Sequence, residues 1–502
     1  MPAPRTISQE AFNAAVKDNI DEFEMEGDEA VKSAVEEFEL QGIDLSGLVL
    51  SANAASCRHP AEEAAMQLKA SLEGDGPALS KSLAAFLAAV DNTDAKLQLT
   101  AATVAQRTGV LPPLQQYCLA ESSSDVHQRS TALRALACLL TCPEARDELA
   151  AKGSCTKLCR LLADTDDVTL ATAAATALSA ATSKNETNKA ATVDADLGPA
   201  VQHVLALPSC TDQTVAAICE LLRRCCNADD DRPIVSRAFQ NGRNLGSQGV
   251  PISLLSVLQR MLSANAAESN GHQATAATNG NNSNSINRNA SEADEDAGTA
   301  VSASPASVQA AVCSALKWMV VNEEICKGFS DAGGVRTALQ VLQQGLGRPG
   351  VVRTSAALLR QLAGSDVIKD DIIRMGALET VTRAARMHIP HLGALEQVLG
   401  LLAALTLRNP SGGDAAMEAG CIDAALEVMG ATMNRAPAAQ WAQRQACQSV
   451  RNVAGRGPEL RPAIIAKGAE SLLRASGAKF PAACQDVSSA ALRDLGFEKY
   501  QT

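Results

Sequence analysis

A glycine recurs along this chain with an apolar residue five places after it, and that recurrence limits the fold more than any other feature. "DAGGVRTALQVL" (331–342) returns as "IRMGALETVTRA" (373–384), "MEAGCIDAALEV" (417–428) and "IAKGAESLLRAS" (465–476). Taking the glycine, or the residue that replaces it, as a register mark gives Gly109, Gly153, Asp196, Gly249, Gly334, Gly376, Gly420 and Gly468. Five of the seven intervals between marks lie between 42 and 48 residues. Five places past the marks stand Leu114, Leu158, Val201, Leu254, Leu339, Val381, Ala425 and Leu473. A residue without Cβ suits a sharp turn from one helix into the next, because it adopts positive φ without a steric penalty. The second helix then presents an apolar face, Val335, Leu339 and Leu342 in one unit, Ile252, Leu255 and Leu258 in another. After a break at "QQGLGRPG" (343–350) a third helix follows, "VVRTSAALLRQLAG" (351–364), with Val352, Ala356, Leu359 and Leu362 on one side.

Units of roughly 40–47 residues with two or three helices are the signature of armadillo and HEAT arrays. The three-helix order, with the turn glycine between the first two, selects the armadillo type. The expected fold is all-α: an armadillo-type right-handed helical solenoid of about eight repeats over residues 77–500. Strands are not expected, since runs of alternating β-branched residues are few. Apolar residues make up 46 % of the 502, but aromatic residues only 2 %. The core is therefore built from Leu, Val, Ile and Ala, and Ala combines high helix propensity with close helix approach.

Two intervals depart from the period. The one from Asp196 to Gly249 contains "NADDDRP" and "NGRNLGSQG", which read as a longer loop. The one from Gly249 to Gly334 contains residues 263–307, a tract of Asn, Ser, Ala and Gly with an acidic knot. Such a tract buries too little apolar area to offset its ordering entropy. It reads as a disordered insertion between the second and third helices of one repeat. Residues 1–50 form a separate acidic helical segment. Ser8 is its candidate N-cap, Phe12, Val16, Ile20 and Phe23 make one apolar stripe, and Ala30, Val31, Ala34, Val35 and Phe38 make a second. Gly27 and Gly42 punctuate it. Residues 51–76 read as a linker with a short helix at 60–72, and "ALSKSLAAFLAAV" (78–90) opens the solenoid.

The net charge of −12 is unevenly placed. Residues 1–50 hold Arg5, Lys17 and Lys32 against twelve acids, which leaves only −3 for the rest. That segment suits a basic partner, or is a solvated helix face. No basic stripe follows that would release counterions from a phosphate backbone, so nucleic acid is not an expected partner. The start lacks the basic and apolar regions of a signal peptide, and no run of 18 apolar residues exists, so no membrane association is expected. Fifteen Cys without a leader point to reduced thiols in the cytoplasm, and also the nucleus. Cys138 with Cys142, and Cys155 with Cys159, stand four apart, each pair read as lying on one helix face. They read as buried small hydrophobes rather than metal or redox pairs. His388 and His391 in "HIPH" read as surface or capping residues. The phosphate-loop, zinc-protease, nucleophile-elbow and dinucleotide motifs are all missing. The expectation is no enzyme: no catalytic or metal residues, no cofactor and no small-molecule substrate.

The stretch "ISQEAFNAAVKDNIDEFEMEGDEAVKSAVEEFELQGIDLSGLV" (7–49) resembles the opening of the armadillo repeat-containing protein six family. The "IRMGALETV" register and the ending near "LGFEKY" fit the same family, and the resemblance covers the chain apart from 263–307. It implies a soluble armadillo protein and supplies no catalytic residue or cofactor. In better-understood armadillo proteins such as importin-α, amides on the third helices grip an extended peptide backbone. The equivalent positions here, 15–16 residues before the marks, hold Asn452, Gln361, Ala404, Trp318, Ala180 and Ala137. With one Asn and one Gln, a long backbone-gripping groove is not expected. "WMVVN" (318–322) matches the W-x-x-x-N string of importin-α, but Asn322 stands one turn out of register. Trp318, Gln361, Asn452 and Trp441 are the candidate partner-binding residues. The expected function is a non-catalytic protein-interaction scaffold or adaptor with an unidentified protein partner. The alternatives are a peptide-groove transport or chaperone-type adaptor, and a regulatory subunit of an enzyme.

Overall fold

The computed structural model describes residues 5–7, 9–23, 25–45, 48, 59–74, 78–120, 125–276 and 304–500. Among these it contains twenty-eight α-helices and one pair of two-residue strands, Arg5–Thr6 and Ile43–Asp44, paired in parallel. That short pair, against the expectation of no strands, ties the two ends of the N-terminal segment together around helices Gln9–Phe23 and Gly27–Leu40. Phe12, Val16, Ala30, Ala34 and Leu45 form its core, with Val31, Val35 and Phe38 packed against them. The expected stripe is too long at one end. Phe23 is 65 % exposed and Ile20 lies at the surface. Ser8 lies outside the described residues.

From Pro60 onward a helix pair, Pro60–Glu73 and Leu79–Val90, precedes eight three-helix repeats among the described residues. The first is Ala95–Arg107, Leu111–Leu119 and Val126–Leu139; the last is Arg461–Ala466, Ala469–Lys479 and Pro481–Leu495. The register residues sit between first and second helices, all in the left-handed region. Gly109 (φ 72°), Gly153 (63°), Gly249 (87°), Gly376 (79°), Gly420 (70°) and Gly468 (84°) are joined there by Asp196 (60°). One mark moves by a residue. Gly333, not Gly334, has positive φ (86°). Gly334 is needed for a different reason: a Cβ there would collide with the Phe329 ring.

Asparagine marks the start of several first helices. Asn185, Asn322 and Asn409 each accept a hydrogen bond from the backbone N–H three residues on. Asn322, the end of the "WMVVN" string, is therefore a helix cap. Two of these caps also reach back one repeat: Asn185 Nδ2 donates to Asp147 at 2.8 Å and Asn409 Nδ2 to Asp370 at 3.0 Å. One side chain thus closes a helix end and fixes the spacing between repeats.

The chain divides into two compact units, one holding residues up to 200 together with 229–235, the other 201–228 with 236–290 and 302–502. In the first, helices Leu79–Val90, Val126–Leu139 and Val168–Thr182 pack in series. In the second, the series is Asp212–Cys225, Pro305–Met319, Pro349–Leu362, Leu392–Thr406, Gln440–Arg456 and Pro481–Leu495. Val335, Leu339, Leu342, Val352, Ala356, Leu359 and Leu362 are buried between helices as their spacing requires, and Ile252 is not.

"NGRNLGSQG" is not a loop. Residues Ala238–Ser247 form the first helix of a repeat. Gly242 and Gly246 lie one turn apart, and a Cβ on either would meet the carbonyl of Trp318 or Met319, so the glycines admit a close helix crossing rather than a bend. "NADDDRP" (227–233) is a loop, as expected. The helix Val250–Ala276 continues into the tract expected to be disordered, and Pro305–Met319 begins before the tract ends; residues 277–303 lie outside the described residues.

Candidate functional site

Third helices carry the chemistry of the second unit. Helix Pro349–Leu362 lies between Pro305–Met319 and Leu392–Thr406, and the latter is followed by Gln440–Arg456. Their inner rows are Leu, Val and Ala; the outer rows carry Lys317, Arg353, Arg360, Glu396, Gln397, Gln445 and Gln448. A cleft of about 350 Å³ opens on this face, lined in part by Arg360, Gly400, Arg408, Gln445, Gln448 and Asn452.

The two amides singled out in the sequence are used within the fold. Asn452 is buried; its Nδ2 donates to Ala403 O at 2.7 Å, and its Oδ1 accepts from Gln448 Nε2 at 2.7 Å. Gln361 Nε2 donates to Val320 O at 3.3 Å. Both bonds run from one third helix to a carbonyl at the C-terminal end of the preceding one, where intrahelical partners run out. Asn452 borders the cleft, whereas Gln361 stays exposed beside it. Trp318 is half-buried near the end of Pro305–Met319, with Lys317 Nζ 4.7 Å from its ring centroid. Trp441 is 51 % exposed at the start of Gln440–Arg456. Eleven helical residues separate it from Asn452, roughly 16 Å along the axis, so the structure does not bring the two together.

Sequence reasoning passed over Arg360, Gly400, Gln445, Gln448 and Arg408. Arg360 makes no hydrogen bond or ion pair among the described residues, and its guanidinium rests against Gly400. Charge on this face is mostly positive. Burial lowers the Lys317 pKa, and the neighbouring Arg360 and Arg353 lower it further. Burial pushes the Glu396 carboxyl up, while Arg360 and Lys317 oppose that shift. Lys369, at the far edge of the cleft, is committed to Asp366 at 2.7 Å and to Leu407 O at 3.0 Å. The signal that was available is the glycine inside "VLGLLAALT" (398–406), a helix otherwise made of good helix formers.

The other sequence candidates resolve into packing. Cys155 and Cys159 share the helix Ser154–Asp164 and are buried, with burial pushing each thiol up to about 12. Cys138 and Cys142 do not share a helix: Val126–Leu139 has ended, and Cys142 caps the start of Pro143–Ala151. His388 and His391 stand at the cap positions flanking the turn between Ala377–Met387 and Leu392–Thr406. His388 is not at the surface; it is buried with Nε2 2.7 Å from Leu346 O, and burial lowers its pKa. Among the described residues, no helix is long and apolar enough to cross a membrane.

Residues 4–67 match the family described as the Armadillo repeat-containing protein 6 N-terminal domain. Human Armadillo repeat-containing protein 6 is 26 % identical over 417 residues, covering 81 % of this chain and 75 % of the human one. The orangutan (Pongo abelii) protein of the same name gives the same identity and coverage, and the Drosophila melanogaster homolog is 27 % identical over 90 residues, 18 % of this chain. Among solved structures, the crystal structure of an engineered protein from the Northeast Structural Genomics Consortium superimposes with a TM-score of 0.58 at 18 % identity, over 97 % of this chain and 99 % of that one. That likeness concerns the fold.

Proposed function

Because this chain belongs to the armadillo repeat-containing protein 6 family and is an all-α repeat solenoid, we propose that it is a non-catalytic protein-interaction scaffold. Its partner meets the third-helix face between residues 305 and 456. The observation that carries this reading is the polar character of that face. Arginine, lysine and glutamine are spent on a surface whose inner rows already complete the core, and the Arg360 guanidinium, near Glu396, makes no hydrogen bond or ion pair among the described residues. The face is long and open rather than a closed pocket, which suits a protein segment better than a small substrate. The reduced, mostly buried thiols suit the cytoplasm or nucleus.

Photo-crosslinking tests it. Benzoylphenylalanine in place of Gln397 is expected to capture one defined protein in an extract of the chain's own cells. The same probe in place of Arg336, exposed on the second helix Gly334–Gln344, is expected not to. Equal capture from both positions sinks the proposal. Loss of the Gln397 crosslink on removal of residues 1–50 moves the contact to the acidic helices.

A further inference from the structure

The third helices Gln440–Arg456 and Pro481–Leu495 pack against each other and bring two thiols together. Gln440, Arg444 and Cys447 share one face of the first helix, at intervals of four and three residues. Cys484, in the first turn of the second helix, lies against that face with its Sγ 3.6 Å from Gln440 O. Arg444 donates to the carbonyl of the neighbouring Ala483 and grips Asp486 at 2.7 and 2.9 Å. Cys447 Sγ stands 3.5 Å from Ser476 Oγ, which comes from the second helix Ala469–Lys479. Cys447, Ser476 and Cys484 are all buried.

These neighbours act differently on the two thiols. A hydrogen bond from Cys447 holds the Cys484 thiol below its ordinary pKa; burial opposes that shift, Ser476 and the Arg444 guanidinium add to it, and Asp486 opposes it. The same bond, and then burial, raises Cys447. One sulfur is thus disposed to ionise while the other stays a thiol beside it, the asymmetry that a disulfide-forming pair requires. Proximity alone does not produce it. Cys219 and Cys313 are also neighbours on packed third helices, Asp212–Cys225 and Pro305–Met319. There burial raises the Cys219 thiol, Cys313 and Glu220 raise it further, and burial pushes Cys313 up to about 12.

We propose that Cys484 and Cys447 form a redox-active pair: a hydroperoxide oxidises Cys484, and Cys447 then closes a disulfide that joins two successive third helices. The Cys484 thiolate attacks one oxygen of hydrogen peroxide. The O–O bond breaks, the second oxygen leaves as hydroxide and takes up a proton to become water, and Cys484 becomes a sulfenic acid. Cys447 gives up its proton and attacks that sulfur. The S–S bond forms, the S–O bond breaks, and the hydroxyl leaves with the proton as water. Two electrons pass from the thiol pair to the peroxide, and a reducing thiol reverses the change. Both sulfurs are buried, so the peroxide enters by local opening of the helix turn that holds Cys484. Arg444 is a positioning residue that favours the thiolate. This chemistry goes beyond the scaffold reading and does not depend on it.

The test is peptide mapping of the full chain after hydrogen peroxide, with free thiols alkylated and no reductant added. Trypsin releases Cys447 in residues 445–451 and Cys484 in residues 480–493. These two peptides are expected to be joined and to separate on addition of dithiothreitol, while the peptides of Cys219 and Cys313 stay apart. With dimedone present, Cys447→Ser should trap the sulfenic acid at Cys484, and Cys484→Ser should show neither adduct nor disulfide here. Arg444→Gln should slow the linkage roughly three- to tenfold at pH 7, up to about one pK unit of thiolate population. That deficit should close above about pH 9, where the thiol ionises unaided; a deficit equal at both pH values would assign Arg444 a packing role only. Cys421→Ala, which removes a buried thiol on Cys421–Thr432, should change nothing. No linkage in the wild-type chain, linkage of Cys219 to Cys313 as readily as Cys447 to Cys484, or no dimedone adduct at Cys484 in Cys447→Ser overturns the proposal. The wild-type map requires no variant, so a substitution that fails to fold leaves the test intact.

Discussion

At Asp196 the backbone passes through the left-handed region (φ 60°) with a side chain attached, where its counterparts in the other repeats are glycine. Asp is among the few residues that tolerate this conformation, because its short carboxyl bonds locally. Replacing it with glycine relieves the Cβ contact. Asp196→Gly is therefore expected to stabilise the fold by up to about 1 kcal/mol, and Asp196→Val to destabilise it by about 1–3 kcal/mol. Urea unfolding of the two variants reads the difference; a Val variant as stable as wild type would mean the turn does not need this conformation. The alignment of marks in the sequence located this residue without a structure. It misplaced the mark at Gly334, because "GG" at 333–334 offers two glycines and only packing shows that one turns the chain while the other clears Phe329. Arg360 was less legible still. Its meaning depends on Gly400, forty residues away, and no spacing rule links the two.

The element that the sequence read as a plain long loop is held by charge. Lys189 is fully buried and pairs with Glu186 at 2.8 Å and with Asp229 at 2.5 Å. Asp230 accepts the Glu186 backbone N–H at 3.0 Å and two bonds from Arg232, which also reaches Asp147 at 2.9 Å. The loop 227–235 is thereby clamped to helices Pro143–Ala151 and Glu186–Val193. Hydrogen bonds from Arg232 hold the Asp230 carboxyl well below the usual carboxylate range, against the opposing effect of burial. A depressed folded pKa stabilises the fold above the unfolded value of about 3.9 and loses that contribution as pH falls toward the folded one. Urea midpoints should therefore drop between neutral pH and about pH 3, and Asp230→Asn should flatten that drop. A variant whose midpoint falls as steeply as wild type would remove Asp230 as the cause. The sequence reads "NADDDRP" only as loop; the partners of Asp230 and Arg232 come from two earlier helices, which only the fold brings near.

For the molecule as a whole, the N-terminal segment keeps its own core. Phe12, Val16, Ala30, Ala34 and Leu45, and the residues packed on them, all lie within residues 7–48. Since that core closes among residues 7–48, the main calorimetric transition of a chain lacking residues 1–50 is expected within about 2 °C of the full chain, below the shift that 1 kcal/mol produces in a domain of 150–250 residues. A larger loss would mean that the segment braces the repeats.

The sequence by itself determined the all-α class and the places where most of the turns between first and second helices fall. These are carried by local causes that recur: a residue able to take positive φ at each turn and apolar spacing of three and four. Periodicity reports which side chains face inward on one helix. It does not report which helices cross closely enough to need glycine, as Gly242 and Gly246 do against Trp318 and Met319, so a glycine-rich helix read as a loop. It also does not report which polar groups are spent inside the fold. Asn452 and Gln361 were candidate partner-binding residues in sequence, and their amides join neighbouring third helices, while Arg360, unremarkable in sequence, lines the cleft. Satisfaction of a polar side chain depends on residues from other repeats, and that pairing exists only once the helices have stacked.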